Sequence, residues 1–256
     1  RCYLAGWLTL ALCLLTPLDT LGRYYLFSAH TLQLFVLTTV TAPLLLYGLP
    51  EWLVGLLLPL RALRNATRGP LFPLLAAGSF NITLLIWHVG PLYEAALRDT
   101  GLHNLQMACF LAAGALTWWP LLTPLDRHRR MSSPFQMFYL ALESLPLDIF
   151  GVAAIFSPYV FYATYQTAPR VFDWLSAGAD QAAAGALLAV PGNVLDIVLL
   201  SVIFFVWIAR MEAEQRARER AADERAATGS GEAEASSAPS SSAAMVAAPG
   251  GESAGC

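Results

Sequence analysis

Lysine is missing from this chain, and charge of either sign is scarce. All fifteen basic residues are arginine, and charged residues make up 13% of the 256 positions against 57% hydrophobic ones. Soluble domains carry about 25% charged residues, so this composition excludes a water-exposed globular fold. The net charge of −3 says little about partners, because the charges crowd into short loops and the C-terminal stretch. Cysteine is thin as well. Cys2, Cys13, Cys109 and Cys256 lie far apart without a C-x-x-C, which leaves neither a disulfide framework nor a zinc knuckle; they read as small apolar packers. There is no internal repeat and no phosphate-binding glycine loop, and nothing suggests nucleic-acid binding.

What the chain has instead is long apolar runs, with a mean hydropathy of +0.54. A membrane helix needs about 20 mostly apolar residues. Six segments qualify, roughly Cys2 to Leu18, Tyr24 to Leu49, Leu71 to Val89, Leu105 to Leu122, Phe135 to Phe156 and Ala182 to Ala209. The expected fold class is all-α, a polytopic transmembrane helical bundle in the lipid bilayer with about six spans and a disordered cytoplasmic C-terminal tail. The opening CYLAGWLTLALCLLTPL lacks a small-residue cleavage site and reads as a retained span. PEWLVGLLLPLRALR is too short to cross and reads as an interfacial helix. Pro43, Pro146 and Pro191 should kink their helices and free backbone carbonyls.

Arginine counts set the orientation. Arg61, Arg64 and Arg68, then Arg127, Arg129 and Arg130, then the stretch after Arg210 fall on one side, which is predicted to be cytoplasmic together with both termini of the chain. The other side, periplasmic if the membrane is a bacterial inner membrane, has mixed charges at Asp19, Arg23, Glu94, Arg98, Asp99, Arg170, Asp173 and Asp180. By composition the bundle is 1–210, a charged Ala-rich helical extension 211–228, and a Ser/Ala/Gly-rich tail 229–256 that cannot bury enough surface to order itself.

Threading the chain through this topology brings three histidines to one level near the outer face. His30 starts the second span, His88 ends the third in LLIWHVGP, and His103 begins the fourth in GLHNLQMACFL. Met107 follows His103 by four residues on the same helical face, and Asp180 enters the sixth span at that level. His128 is cytoplasmic among arginines and reads as a loop residue. Imidazole with a thioether at a dry site suits copper, Cu(I) in particular. The competing reading is that each histidine bonds an interfacial carbonyl or carboxylate.

Glu143, Asp148 and Asp196 sit inside the fifth and sixth spans, where ionised carboxylates are costly and must be protonated or paired. Five residues place Glu143 and Asp148 about 140° apart around their helix, so they are expected to face different neighbours. They read either as a polar path or as helix–helix hydrogen bonds and kink satisfiers. Trp118, Trp119, Tyr159, Tyr162, Tyr165 and Trp174 read as aromatic belts.

The ordered blocks FSAHTLQLFVLTTVTAPLLLYGLP, LLIWHVGPLYEAAL, LHNLQMACFLAAGALTWWPLL, SPYVFYATY and ADQAAAGALLAVPG resemble the polytopic CtaG family of cytochrome c oxidase assembly factors (caa-type oxidase assembly) over roughly Tyr3 to Arg210. The resemblance implies a non-enzymatic role in maturing a haem-copper oxidase, at its copper centres. Family members carry a further histidine four residues after each of the first and third histidines. Here those positions are Leu34 and Met107, so two H-x-x-x-H pairs are halved and the chain reads as a divergent member. The resulting expectation is an outward-facing copper site of His30, His88, His103 and Met107, with Asp180 as ligand or orienter. Its partners would be haem-copper oxidase subunits and a periplasmic copper donor. Three alternatives stand beside it: a b-type haem protein using two of the histidines, a transporter built on the buried acids, and a metal-free scaffold for oxidase subunits.

Overall fold

The computed structural model describes residues 1–48, 71–122 and 131–237. The interfacial segment, the arginine loops with His128 and the end of the tail lie outside the described residues. Among the described residues every regular element is a helix, and the chain divides into two units, residues 1–205 and 206–256.

The first unit holds α1 (Cys2–Leu15), α2 (Pro17–Tyr24), α3 (Phe27–Gly48), α4 (Phe72–Trp87), α5 (Gly90–Arg98), α6 (Thr100–Leu122), α7 (Ser133–Phe156), α8 (Ala163–Thr167) and the start of α9 (Ala177–Ser237). Four helices are long and apolar enough to cross a membrane by themselves: α3, α6, α7 and α9. Among the described residues two bent pairs, α1 with α2 at 47° and α4 with α5 at 76°, pass the same test only when each pair is taken together. That gives four to six candidate spans, against the six expected from hydropathy.

The breaks have local causes. Proline cannot continue a helix through its missing N–H, so α1 stops at Leu15 and Pro17 opens α2 after Thr16, whose hydroxyl oxygen accepts from the Leu18 N–H at 3.3 Å. At the second break His88 leaves helical geometry at φ −93°, ψ 3°, and Pro91 falls in the first turn of α5. Pro43 acts differently. It stands just past a π-helical turn, Val36–Thr41, in which the Ala42 N–H reaches back to the Leu37 carbonyl. That shift leaves the Thr38 carbonyl without its usual donor, and the Trp118 indole N–H from α6 supplies one at 3.0 Å. Trp118 is therefore a tie between helices as well as an interfacial aromatic.

Apolar packing centres on α3, α4 and α6, where Leu34, Leu37, Phe80, Leu84, Trp87, Ala96, Met107, Phe110 and Ala113 form one buried cluster. A second cluster lies under α5 and α8 and contains Phe27, Tyr93, Leu97, Tyr162, Tyr165 and Ala184. Tyr162 and Tyr165 thus correct the aromatic-belt expectation: both are buried and hydrogen bonded, whereas Tyr159 and Trp174 are exposed. On α7 and α9 apolar side chains such as Leu145, Ile149, Val194 and Ile197 point outward, as lipid-facing residues do. The two helices meet closely at Gly151 and Gly185. A Cβ on Gly185 would run into the Gly151 carbonyl oxygen, the close approach that small residues permit in membranes.

In the second unit, residues 206–237 continue as helix, with exposed i,i+4 pairs such as Arg216–Glu212 at 3.0 Å. The helix includes positions 229–237, which the composition assigned to the tail; residues 238–256 lie outside the described residues.

Candidate functional site

The helix breaks and caps place the histidines. Asp99 caps α6, its carboxylate accepting from the Leu102 N–H at 2.7 Å, and this sets His103 in the first turn. Asp180, from the first turn of α9, caps α3: its two oxygens accept the Phe27 N–H at 2.7 Å, the Ser28 N–H at 3.2 Å and the Ser28 hydroxyl. A carboxylate at a helix N-terminus also complements the macrodipole. His30 follows one turn later. The backbone of α2 lies directly on it, since a Cβ on Gly22 would stand 2.9 Å from the His30 Cα. His88 sits at the α4–α5 break.

These elements bring the three imidazoles together. The His30 and His103 ring centroids are 6.4 Å apart, and the Tyr93 ring touches both His30, at 5.2 Å, and His88, at 5.5 Å. All three histidines are buried, His30 completely.

Hydrogen bonding fixes which nitrogen of two rings meets an acceptor. The His103 Nε2–H donates to Asp19 Oδ1 at 2.8 Å, and in a neutral ring Nδ1 is then the lone pair. The His88 Nδ1–H donates to the Leu84 carbonyl at 2.9 Å, and in a neutral ring Nε2 is the lone pair. Both of these inner nitrogens, and both nitrogens of His30, are buried without a hydrogen-bond partner. Buried polar atoms are nearly always satisfied, so four orphaned ring nitrogens in one cluster mark a place built for a guest.

Asp19 is the residue that sequence reasoning passed over. The same Oδ1 also accepts from Gln33 Nε2 at 2.8 Å, and that amide nitrogen donates to the Cys13 carbonyl at 3.0 Å. One network therefore ties α1, α2, α3 and α6. Gln33 and Gln106 each stand three residues after a histidine, and both are fully buried with unpartnered amide atoms. The repeated H-x-x-Q was the available signal.

Two expected members lie elsewhere. Met107 packs in the apolar cluster with Leu34, Trp87 and Phe110, and Asp180 has its oxygens committed to the start of α3. Among the described residues no group of three or more His, Cys, Asp and Glu side chains stands ready to hold a metal ion. A ring centroid lies about 3.2 Å from an ion bound at ~2.0–2.1 Å, so two rings on opposite sides of one ion have centroids about 6.4 Å apart; the His30 and His103 centroids are 6.4 Å apart, with their planes inclined at 53°.

The three membrane acids occupy a different place. Glu143, Asp148 and Asp196 line one cavity of about 850 Å³, open mouth included, between α3, α4, α6, α7 and α9. This corrects the expectation that Glu143 and Asp148 face different neighbours: Pro146 lies inside α7 between them, and the cavity is broad enough to meet both. Asn193 Nδ2 donates to Asp148 Oδ1 at 3.0 Å. None of the three histidines lines this cavity.

On α5, Glu94 is held by the Thr164 N–H at 3.0 Å and by the Thr164 hydroxyl and Arg98.

No curated protein and no solved structure matches the chain. A family model does, over residues 1–210, the region that carries the spans, the histidine cluster and the acid-lined cavity. The chain belongs to the family of cytochrome c oxidase caa3 assembly factors (Caa3_CtaG).

Proposed function

We propose that this assembly factor holds copper, as cargo, for a maturing caa3-type oxidase at its buried histidines. One observation carries the reading. His103 is bonded through Nε2 to the Asp19 carboxylate and leaves Nδ1 unpartnered, beside His30, whose two ring nitrogens are also buried and unpartnered; a carboxylate orients a metal-binding imidazole in this way. Neutral imidazoles in a dry enclosure suit Cu(I) better than hard cations. Asp19 takes the orienting part that the sequence suggested for Asp180, and Met107 contributes packing. The protein acts as a carrier and breaks no bond.

In this proposal the bundle lies in a bacterial inner membrane with both termini of this chain in the cytoplasm. The histidine end then lies near the periplasm, within reach of a copper donor, while the spans meet oxidase subunits in the bilayer. The haem alternative draws nothing from the acid-lined cavity, which none of the three histidines lines. The test is the copper content of oxidase purified from a strain lacking this protein and complemented with variants. Wild type should restore it and the His30→Asn, His103→Asn double variant should not. Fully metallated oxidase with the double variant overturns the proposal.

A further inference from the structure

The three histidines differ in how well they suit a shared ion, and the difference points to the ion itself. The His30 and His103 centroids lie 6.4 Å apart with the ring planes inclined at 53°, the separation expected for two imidazoles on opposite sides of one ion, and the pair holds three unpartnered ring nitrogens. The His88 ring packs on Phe150, at 4.8 Å, and on Phe110, at 6.0 Å. Around the His30 and His103 pair the polar supply is short. Asp19 is the carboxylate bonded to a site ring, and its charge is shared with Arg23, one turn along α2, whose Nε donates to the Leu97 carbonyl at 2.8 Å. Gln33, Gln106 and Tyr93 are neutral and fully buried.

The cost of burying an ion grows with the square of its charge, so a divalent ion here would be far from compensated. Two-coordinate binding by neutral nitrogens in a dry site is, in turn, chemistry that d¹⁰ monocations accept and Zn(II) or Cu(II) do not.

Resting on the reading of the histidines as a metal site, we propose that His30 and His103 alone form a two-coordinate site for one soft monovalent cation, Cu(I) or Ag(I), with Asp19 as the positioning residue that turns His103 Nδ1 toward it. Asp19 is also the one member of the network with substantial exposure, its side chain 25% accessible against 2% for His103, so the clasp lies where the buried pair meets the surface of the bundle.

The experiment uses the full chain in detergent micelles, titrated with Cu(I) against a competing chelator and, separately, with Ag(I) and Zn(II), followed by copper-edge X-ray absorption. The expected result is one Cu(I) or Ag(I) per chain, with the intense edge feature of linear two-nitrogen copper, and Zn(II) at least 100-fold weaker, on the order of the selectivity that ligand number and softness provide. His30→Asn and His103→Asn should lose that feature, whereas His88→Asn keeps it. Asp19→Asn should keep the feature and weaken Cu(I) by about 10–100-fold, at unchanged helicity. A three- or four-coordinate spectrum, loss of the feature in His88→Asn, or Zn(II) binding as tight as Cu(I) overturns this ligand assignment while leaving a metal site standing. A wild-type chain that takes up neither Cu(I) nor Ag(I) overturns the metal reading and the assignment with it.

Discussion

The bundle has two polar regions among its spans, and they are built on opposite plans. At the histidine end, side chains from α2, α3 and α6 and the Cys13 carbonyl of α1 are tied together through Asp19 and Gln33, everything but Asp19 is buried, and the three histidines stand near helix ends and breaks. The acid region stands in mid-helix, beside Pro146 and Pro191, and its carboxylates line open space with few bonds, such as Asn193 to Asp148. The contrast teaches that the histidine end holds its rings in place through a few bonds, at Asp19 and Gln33, while leaving their remaining nitrogens without protein partners. A proline kink inside a span leaves room without building a network to fill it.

The most damaging substitution at the locked end should be Asp180→Ala. It strips the acceptor from two amides and a hydroxyl at the start of α3, and each buried donor left unsatisfied costs about 1–3 kcal/mol. Thermal unfolding in micelles should show the largest loss of any single variant named here, about 3 kcal/mol or more; a loss under about 1 kcal/mol would break the contrast. Trp118→Phe comes next. It leaves the Thr38 carbonyl, freed by the π-helical turn, without its donor, at roughly 1–2 kcal/mol. The open region should respond in the reverse sense. The combined Glu143→Gln, Asp148→Asn, Asp196→Asn variant replaces three ionisable groups in a low-dielectric setting with neutral amides and should change stability by less than about 1 kcal/mol, or raise it, with copper content untouched. Loss of copper in that variant would mean that the two regions act together.

Glu94→Gln should cost about 0.5–1.5 kcal/mol, because it weakens the hold of Thr164 and Arg98 on α5. Thermal unfolding in micelles checks it, and a loss as large as that of Asp180→Ala would contradict the ranking.

Most of the fold is legible in the residues, and the limits of that reading follow from physics. Runs of about 20 apolar residues declare spans because lipid demands them, and each expected span falls on one of the four long apolar helices or on one of the two bent pairs. Thr16-Pro17 and Gly90-Pro91 mark the breaks, yet the size of the bends comes from what the helices pack against. His30, His88 and His103 converge as their positions near span ends suggest. Asp19 was hidden because its bond to His103 joins residues far apart in the chain and depends on the α1–α2 bend. Met107 follows the helical face of His103 faithfully, but that face one turn on belongs to the apolar cluster of Leu34 and Phe110. Tyr162 and Tyr165 have belt composition, and only packing against Phe27 and Tyr93 shows that they are interior.

The account rests on His30 and His103 sharing one cation. Its most direct test is the metal content of the full chain purified from copper-replete cells, for wild type and for His103→Asn. Copper stoichiometric with the wild-type chain and absent from the variant is the predicted result. Copper absent from both, or equal in both, would contradict it.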